Sequence, residues 1–296
     1  MRHASIAALV AGCLCAPGLS IAQEQVIWRE TQNLPVGLNL PAGMKADVLG
    51  IAVGGGYSDA KAKLQALLSE APPAAAKPMT ESERFAAERS GSDMRPPLTE
   101  ETTVITMHSP GTSARVEATY IGDLRLARQL PGSGAVKIRE EILVRLSAPS
   151  SGHQVLGVER RLAYDSADEP RVSEIIARLA EKFGGQPQVY NGTEYRFQFN
   201  DGAAYVPPQG TLWTDCYNYH VIDSSQNLPL ANRTGTCDVL MTVRVSPGKS
   251  SDHARELTFI LSDNERAKQN VGADYAFMSA YIDELAKRSS GVAPKL

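Results

Sequence analysis

No apolar run in this chain approaches the roughly 20 residues needed to cross the hydrocarbon core of a bilayer. Charged or turn residues interrupt every such stretch, so no transmembrane segment is expected in the mature chain. An excess of one charge is also missing. A net charge of −3 over 296 residues offers no broad basic face for nucleic acid or anionic lipid. Aromatics make up only 6% of the chain, and eight of the 18 fall between Tyr190 and Tyr219. Cysteine is scarce too, at four residues, and their positions matter more than their number.

Two of the four, Cys13 and Cys15, lie near the N-terminus. There Arg2 and His3 precede an uncharged stretch from Ile6 to Leu19, followed by Ser20-Ile21-Ala22. A basic start, an apolar middle and small residues at −3 and −1 form the pattern of a secretory signal peptide, here residues 1–22. Val10-Ala11-Gly12-Cys13 supports a second reading, a lipoprotein anchored at Cys13. Cleavage after Ala22 leaves one cysteine pair, Cys216 and Cys237, 21 positions apart, in a chain bound for an oxidising compartment. The expectation is a disulfide closing a turn-rich loop, worth about 3 kcal/mol by the chain-entropy estimate. A redox pair lacks the close Cys-x-x-Cys spacing, and a metal site using His220 lacks enough soft ligands.

The expected organisation is an N-terminal extended segment and strand–turn–helix over 23–69, a Pro- and Ala-rich linker or surface loop over 70–101, and two further units. The first covers 102–187 and the second 188–296. In the opening motif Asp47 to Val53 reads as a strand, Gly54-Gly55-Gly56 as a turn, and Ser58 as the cap of an amphipathic helix through about Leu68. Strands are expected at 102–108, 114–121, 136–147 and 153–165. Over the third, Ile138, Ile142, Val144 and Leu146 share one side, while Arg139, Glu141, Leu143 and Arg145 share the other. A helix from about Pro170 to Phe183 is stopped by Gly184-Gly185.

An internal echo joins the two units. Val144-Arg145-Leu146-Ser147, a turn, a strand and a helix recur as Val243-Arg244-Val245-Ser246, a turn, a strand and a helix. The fold class that follows is α+β, with antiparallel sheets, amphipathic helices packed on one face, and two related hairpin-plus-helix units.

Asp47-Val48-Leu49-Gly50-Ile51-Ala52-Val53-Gly54 followed by Tyr57 to Leu64 resembles the strand–turn–helix opening of bacterial envelope domains of the β-lactamase-inhibitor-like and SmpA/OmlA-like type. Those domains commonly have Gly-Met before the helix, where this chain has Gly54-Gly55. The ending Glu181-Lys182-Phe183-Gly184 is similar to segments of uncharacterised exported proteins. The resemblance implies helices on antiparallel sheets used to hold proteins, and it transfers no functional residue.

Motifs for chemistry are largely missing. Gly54-Gly55-Gly56 lacks the Lys-Ser/Thr of a phosphate loop and reads as a close-packing turn. The histidines His108, His153, His220 and His253 stand singly, without metal-ligand spacing, and read as surface or turn residues. No nucleophile motif occurs, and Glu140-Glu141 and Asp283-Glu284 read as solvated charge. No catalytic residue, metal or cofactor is expected. Tyr195, Phe197 and Phe199 alternate as strand core does. Trp213, Tyr217 and Tyr219 flank the expected disulfide and are candidate partner-binding residues, with packing beneath the loop as the alternative.

These readings favour a periplasmic or secreted, non-enzymatic binding module that contacts another envelope protein through its sheet face or its disulfide loop. The alternatives are a periplasmic hydrolase with a dispersed site and a lipid-anchored envelope assembly factor.

Overall fold

The computed structural model describes Val26, 40–41, 43–70, 97–108, 115–133, 138–206 and 238–290. Its centre is a nine-stranded antiparallel sheet. The strands are β3 (Leu98–His108), β4 (Arg115–Leu130), β5 (Ile138–Leu146), β6 (Val155–Ala163), β7 (Gln188–Tyr190), β8 (Glu194–Asn200), β9 (Ala203–Ala204), β10 (Val239–Pro247) and β11 (Ala254–Asp263). Their order is β3-β4-β5-β6-β11-β10-β8-β7, with β9 beside β8. Among the described residues three α-helices accompany the sheet, α1 (Tyr57–Glu70), α2 (Val172–Lys182) and α3 (Asn264–Ser290). The α+β class read from the sequence is the observed one.

The opening motif is folded more tightly than its apolar run suggests. Asp47 to Val53 is not one strand; β1 (Asp47–Val48) turns back on β2 (Ile51–Ala52). Leu49 and Gly50 both have positive φ, 56° and 76°, as the two central residues of a type I′ hairpin turn require. The Asp47 carboxylate accepts the Gly50 N–H at 3.1 Å. Helix α1 starts one residue earlier than expected, at Tyr57, so Ser58 lies inside its first turn.

Strand β4 is twice as long as its sequence pattern indicates. It bends at Gly122, the extra residue where the β3 register slips between Glu101/Asp123 and Thr102/Ile121. A Cβ at Gly122 would lie 2.0 Å from Thr103 Oγ1, so only glycine fits the bulge. Strand β3 begins at Leu98, inside the stretch expected to be linker.

The two faces of the sheet differ. One carries Leu124, Leu126, Ile142, Val144, Val158, Phe197, Met241 and Leu261, covered by Ala60 and Leu64 of α1. Val172 with Ile175, Ile176 and Leu179 of α2 extends this cover over Leu162, Val243 and Leu257. Helix α2 ends in a Schellman motif, with Gly184 at φ 69° and the Gly185 N–H donating to the Ala180 carbonyl at 3.0 Å. Helix α3 takes the opposite face, where Met278 and Ile282 pack on Ile105, Val116, Ala118 and Tyr120.

Hairpins β5–β6 and β10–β11 meet antiparallel along β6 and β11. The echoed residues play matching parts. Val144 and Val243 are both fully buried, while Arg145 and Arg244 point to the other face and pair with Asp123 and Glu194. Both hairpins run on into a helix, as the echo implies, but the helices take opposite faces.

Candidate functional site

Beyond α3, the same face of the sheet carries, among the described residues, a polar hollow of about 420 Å³. Cross-strand register builds its floor. Arg161 lies opposite Thr258, Thr258 opposite Arg244, and Arg244 opposite Glu194, one row across β6, β11, β10 and β8. Glu159, Ser246 and Glu256 add to the wall, together with Thr193 and Val245. The charged residues among these are outward positions of strands whose inward positions form the core, so the alternation that buries Val243 also presents Arg244.

Ion pairs order the charges. The Arg161 guanidinium donates to Glu256 at 2.8 Å, which holds its proton more firmly than usual. Glu194 accepts from Arg196 at 2.5 Å and from Arg244 at 3.1 Å, and Arg196 in turn stacks over the Tyr190 ring at 4.4 Å. Arg161 and Arg244 remain about half exposed. The result is a set of fixed donors and acceptors of both signs facing solvent. Such a surface can recognise a complementary polar surface, and its lining holds no serine–histidine or cysteine–histidine pair to attack a substrate.

Other polar groups are buried, and two of them correct the sequence reading. Glu140 is not solvated charge; it is fully buried between Arg128 and Arg160, donating Arg160 Nε lying 2.6 Å away. Arg128 also donates to the Leu67 carbonyl, tying the end of α1 to the sheet. His153 is not a plain turn histidine. It is part-buried and stacks on Tyr57 at 4.7 Å, with φ 49° and Nε2 donating to the Ile121 carbonyl at 2.7 Å. Burial lowers its pKa. The Tyr57 hydroxyl donates to Glu100 at 3.0 Å, and Lys61 pairs with the same carboxylate, which lowers the Glu100 pKa and raises that of Lys61.

A larger network seats α3. Asp274 accepts the Ala148 N–H at 3.0 Å and the Ser150 hydroxyl at 2.6 Å. Asn270 donates to the Ser151 carbonyl at 3.0 Å, and Arg266 donates to Gln154 at 3.1 Å. Asp263 caps α3 by accepting the Arg266 N–H at 2.9 Å. Burial raises the pKa of Asp263 and of Asp274 to about 6. Neither carboxylate lines the hollow.

The glycine turn is a packing element. Gly54 N–H donates to the Val155 carbonyl at 2.7 Å, Gly55 N–H to Ala52 at 3.2 Å and Tyr57 N–H to His153 at 3.0 Å, so these amides are committed within the protein. Tyr195, Phe197 and Phe199 do share the helix-covered face. Phe183 packs against the last two with tilted rings, at centroid distances of 5.1 and 6.1 Å. Among the described residues no three His, Cys, Asp or Glu side chains group so as to hold a metal ion, and no helix is long and apolar enough to cross a membrane.

Trp213, Tyr217, Tyr219, Cys216, Cys237 and the 1–22 segment with Cys13 lie outside the described residues. The hollow residues form no functional motif in the sequence. Their only signal there is outward strand position, and register, which sets Thr258 opposite Arg161 across 97 positions of chain, brings them together. No protein family, curated protein or solved structure matches the chain, so the resemblance to envelope domains stands on its own short motif.

Proposed function

We propose that the protein is an exported, non-enzymatic interaction module that holds another cell-envelope protein against the open polar face of its sheet. The observation that supports this reading best is the hollow floored by Arg161, Thr258, Arg244 and Glu194. Its charges are held in place by ion pairs, which limits the side-chain entropy lost when a partner docks. Buried carboxylates with raised pKa values would favour an enzyme if they faced a cleft. Here Asp263 and Asp274 instead seat a helix and cap it. Export rests on the basic start, apolar run and Ser20-Ile21-Ala22 of the N-terminus.

Crosslinking in an envelope fraction, followed by purification of the chain, tests the reading. A stoichiometric protein partner captured by the wild type and lost in an Arg161→Glu/Arg244→Glu variant is the expected result. Equal capture by both would remove the hollow from the interface. Turnover of a substrate by the purified chain would replace the reading with an enzymatic one.

A further inference from the structure

The outer edge of β3 is built for pairing. Strand β3 closes one end of the sheet order, and among the described residues it pairs only with β4. An edge strand exposes a row of backbone donors and acceptors, and proteins that stay monomeric blunt such edges with lysine, proline, shortness or a bulge. Strand β3 is 11 residues long, regular, and free of lysine, arginine and proline; the bulge beside it belongs to β4. Its acidic residues are already engaged, Glu100 by Lys61 and Glu101 by Arg125. The six residues Thr102-Thr103-Val104-Ile105-Thr106-Met107 carry no charge and are mostly β-branched, the composition that pairs most readily with another strand. Val104, near the centre, is 47% exposed.

We propose that β3 is the contact strand of a two-fold dimer, in which the β3 strands of two copies pair antiparallel and join their sheets into one. The charge pattern selects this occupant. With a two-fold near Thr103, Thr102 faces Val104 of the second copy and each acidic pair faces Ile105 and Thr106. The Glu100-Glu101 pairs then stay roughly 14–20 Å apart at 3.4 Å per residue. Parallel pairing in register would set glutamate on glutamate, which is destabilising. The uncharged centre offers a foreign strand no complementary charge, whereas its own copy matches it by symmetry, and a two-fold contact closes without leaving a growing edge. On the α3 face, partly buried Met107 and Phe277 continue the apolar strip beside the joint.

Sedimentation velocity of the full mature chain over a concentration series is the test, together with hydrogen exchange across 98–108. The expected result is a dimer whose β3 amides exchange more slowly as concentration rises. The Thr102→Lys/Val104→Lys variant sets lysines opposite each other across the joint, and should self-associate at least about tenfold more weakly while keeping wild-type circular dichroism. A wild type that is monomeric at every concentration would overturn the proposal. So would a folded variant that dimerises as well as the wild type, or a dimer whose β3 amides show no added protection. The exchange measurement on the wild type decides the matter even if the variant does not fold.

Discussion

Glu140 and Arg128 form an ion pair on the face of the sheet that is otherwise the hydrophobic core, with the carboxylate fully buried and the guanidinium nearly so. Arg160 completes the cluster from the next strand and keeps some contact with solvent. Removing the carboxylate would leave two guanidiniums without a counter-charge, one of them inside. Glu140→Ala is expected to destabilise the fold by about 3–5 kcal/mol, read as a lower urea midpoint. Replacing Arg128, Glu140 and Arg160 together by Met, Leu and Met is expected to cost far less, because no charge is then stranded.

That cluster shows what was legible in the sequence and what was not. Ile138, Ile142, Val144 and Leu146 identify the inward side of β5, and the structure buries that side. Glu140 occupies the gap in the same stripe, so period two already places it inside. Its partners sit in similar gaps, Arg128 between Leu126 and Leu130, and Arg160 between Val158 and Leu162. Only register shows that the three gaps meet, with Arg128 opposite Glu140 and Ile142 opposite Arg160. The hollow was hidden for the same reason. Arg161, Arg244 and Glu194 belong to no chemical motif in the sequence, and cross-strand pairing makes a row of them. The β1–β2 hairpin leaves no turn signal in the sequence, because its turn uses Leu49 at positive φ, where Asn or Asp is the usual residue.

Stability should fall as pH rises through 6. Asp263 and Asp274 have folded pKa values of about 6, above the ordinary carboxyl value, so the folded chain binds these protons more tightly than the unfolded one. Their contribution is fully present below pH 4 and is lost as pH rises through about 6, on the order of 3 kcal/mol for each group. Glu100, whose pKa is lowered by Lys61, works in the opposite sense below about pH 4.5 and is only a surface pair. Urea midpoints at pH 5 and pH 7.5 should therefore differ in favour of pH 5. Asp274→Asn keeps the shape and one acceptor, and it should remove about half of the difference. An unchanged pH profile in that variant would show that Asp274 is ionised throughout.

Gly54 should tolerate no side chain. Its φ is 80°, and a Cβ there would sit 2.9 Å from Arg266 Nε, the residue that also binds Asp263 and Gln154. Gly54→Ala is expected to cost about 1–3 kcal/mol through overpacking and strain. Gly56 has open space and no positive φ, so Gly56→Ala should cost less than Gly54→Ala. Thermal unfolding of the two variants checks the order, and added phosphate should shift neither midpoint, since the amides of Gly54 and Gly55 are already bonded.

The hollow makes a prediction about salt and charge. Arg161 and Arg244 are about half exposed, so their pairs with Glu256 and Glu194 contribute little to folding, about 0–1 kcal/mol each. Arg244→Ala should leave the unfolding midpoint almost unchanged. Glu194 keeps Arg196 as its partner in that variant, which protects the fold from a stranded carboxylate. Partner capture should respond differently. A surface of fixed charges steers association mainly through its on-rate and is screened by ions. Capture should weaken as salt is raised, and Arg244→Ala should reduce both the affinity and its salt dependence. Full affinity in Arg244→Ala at low salt would mean that the row across β6, β11, β10 and β8 is only a solvated sheet surface.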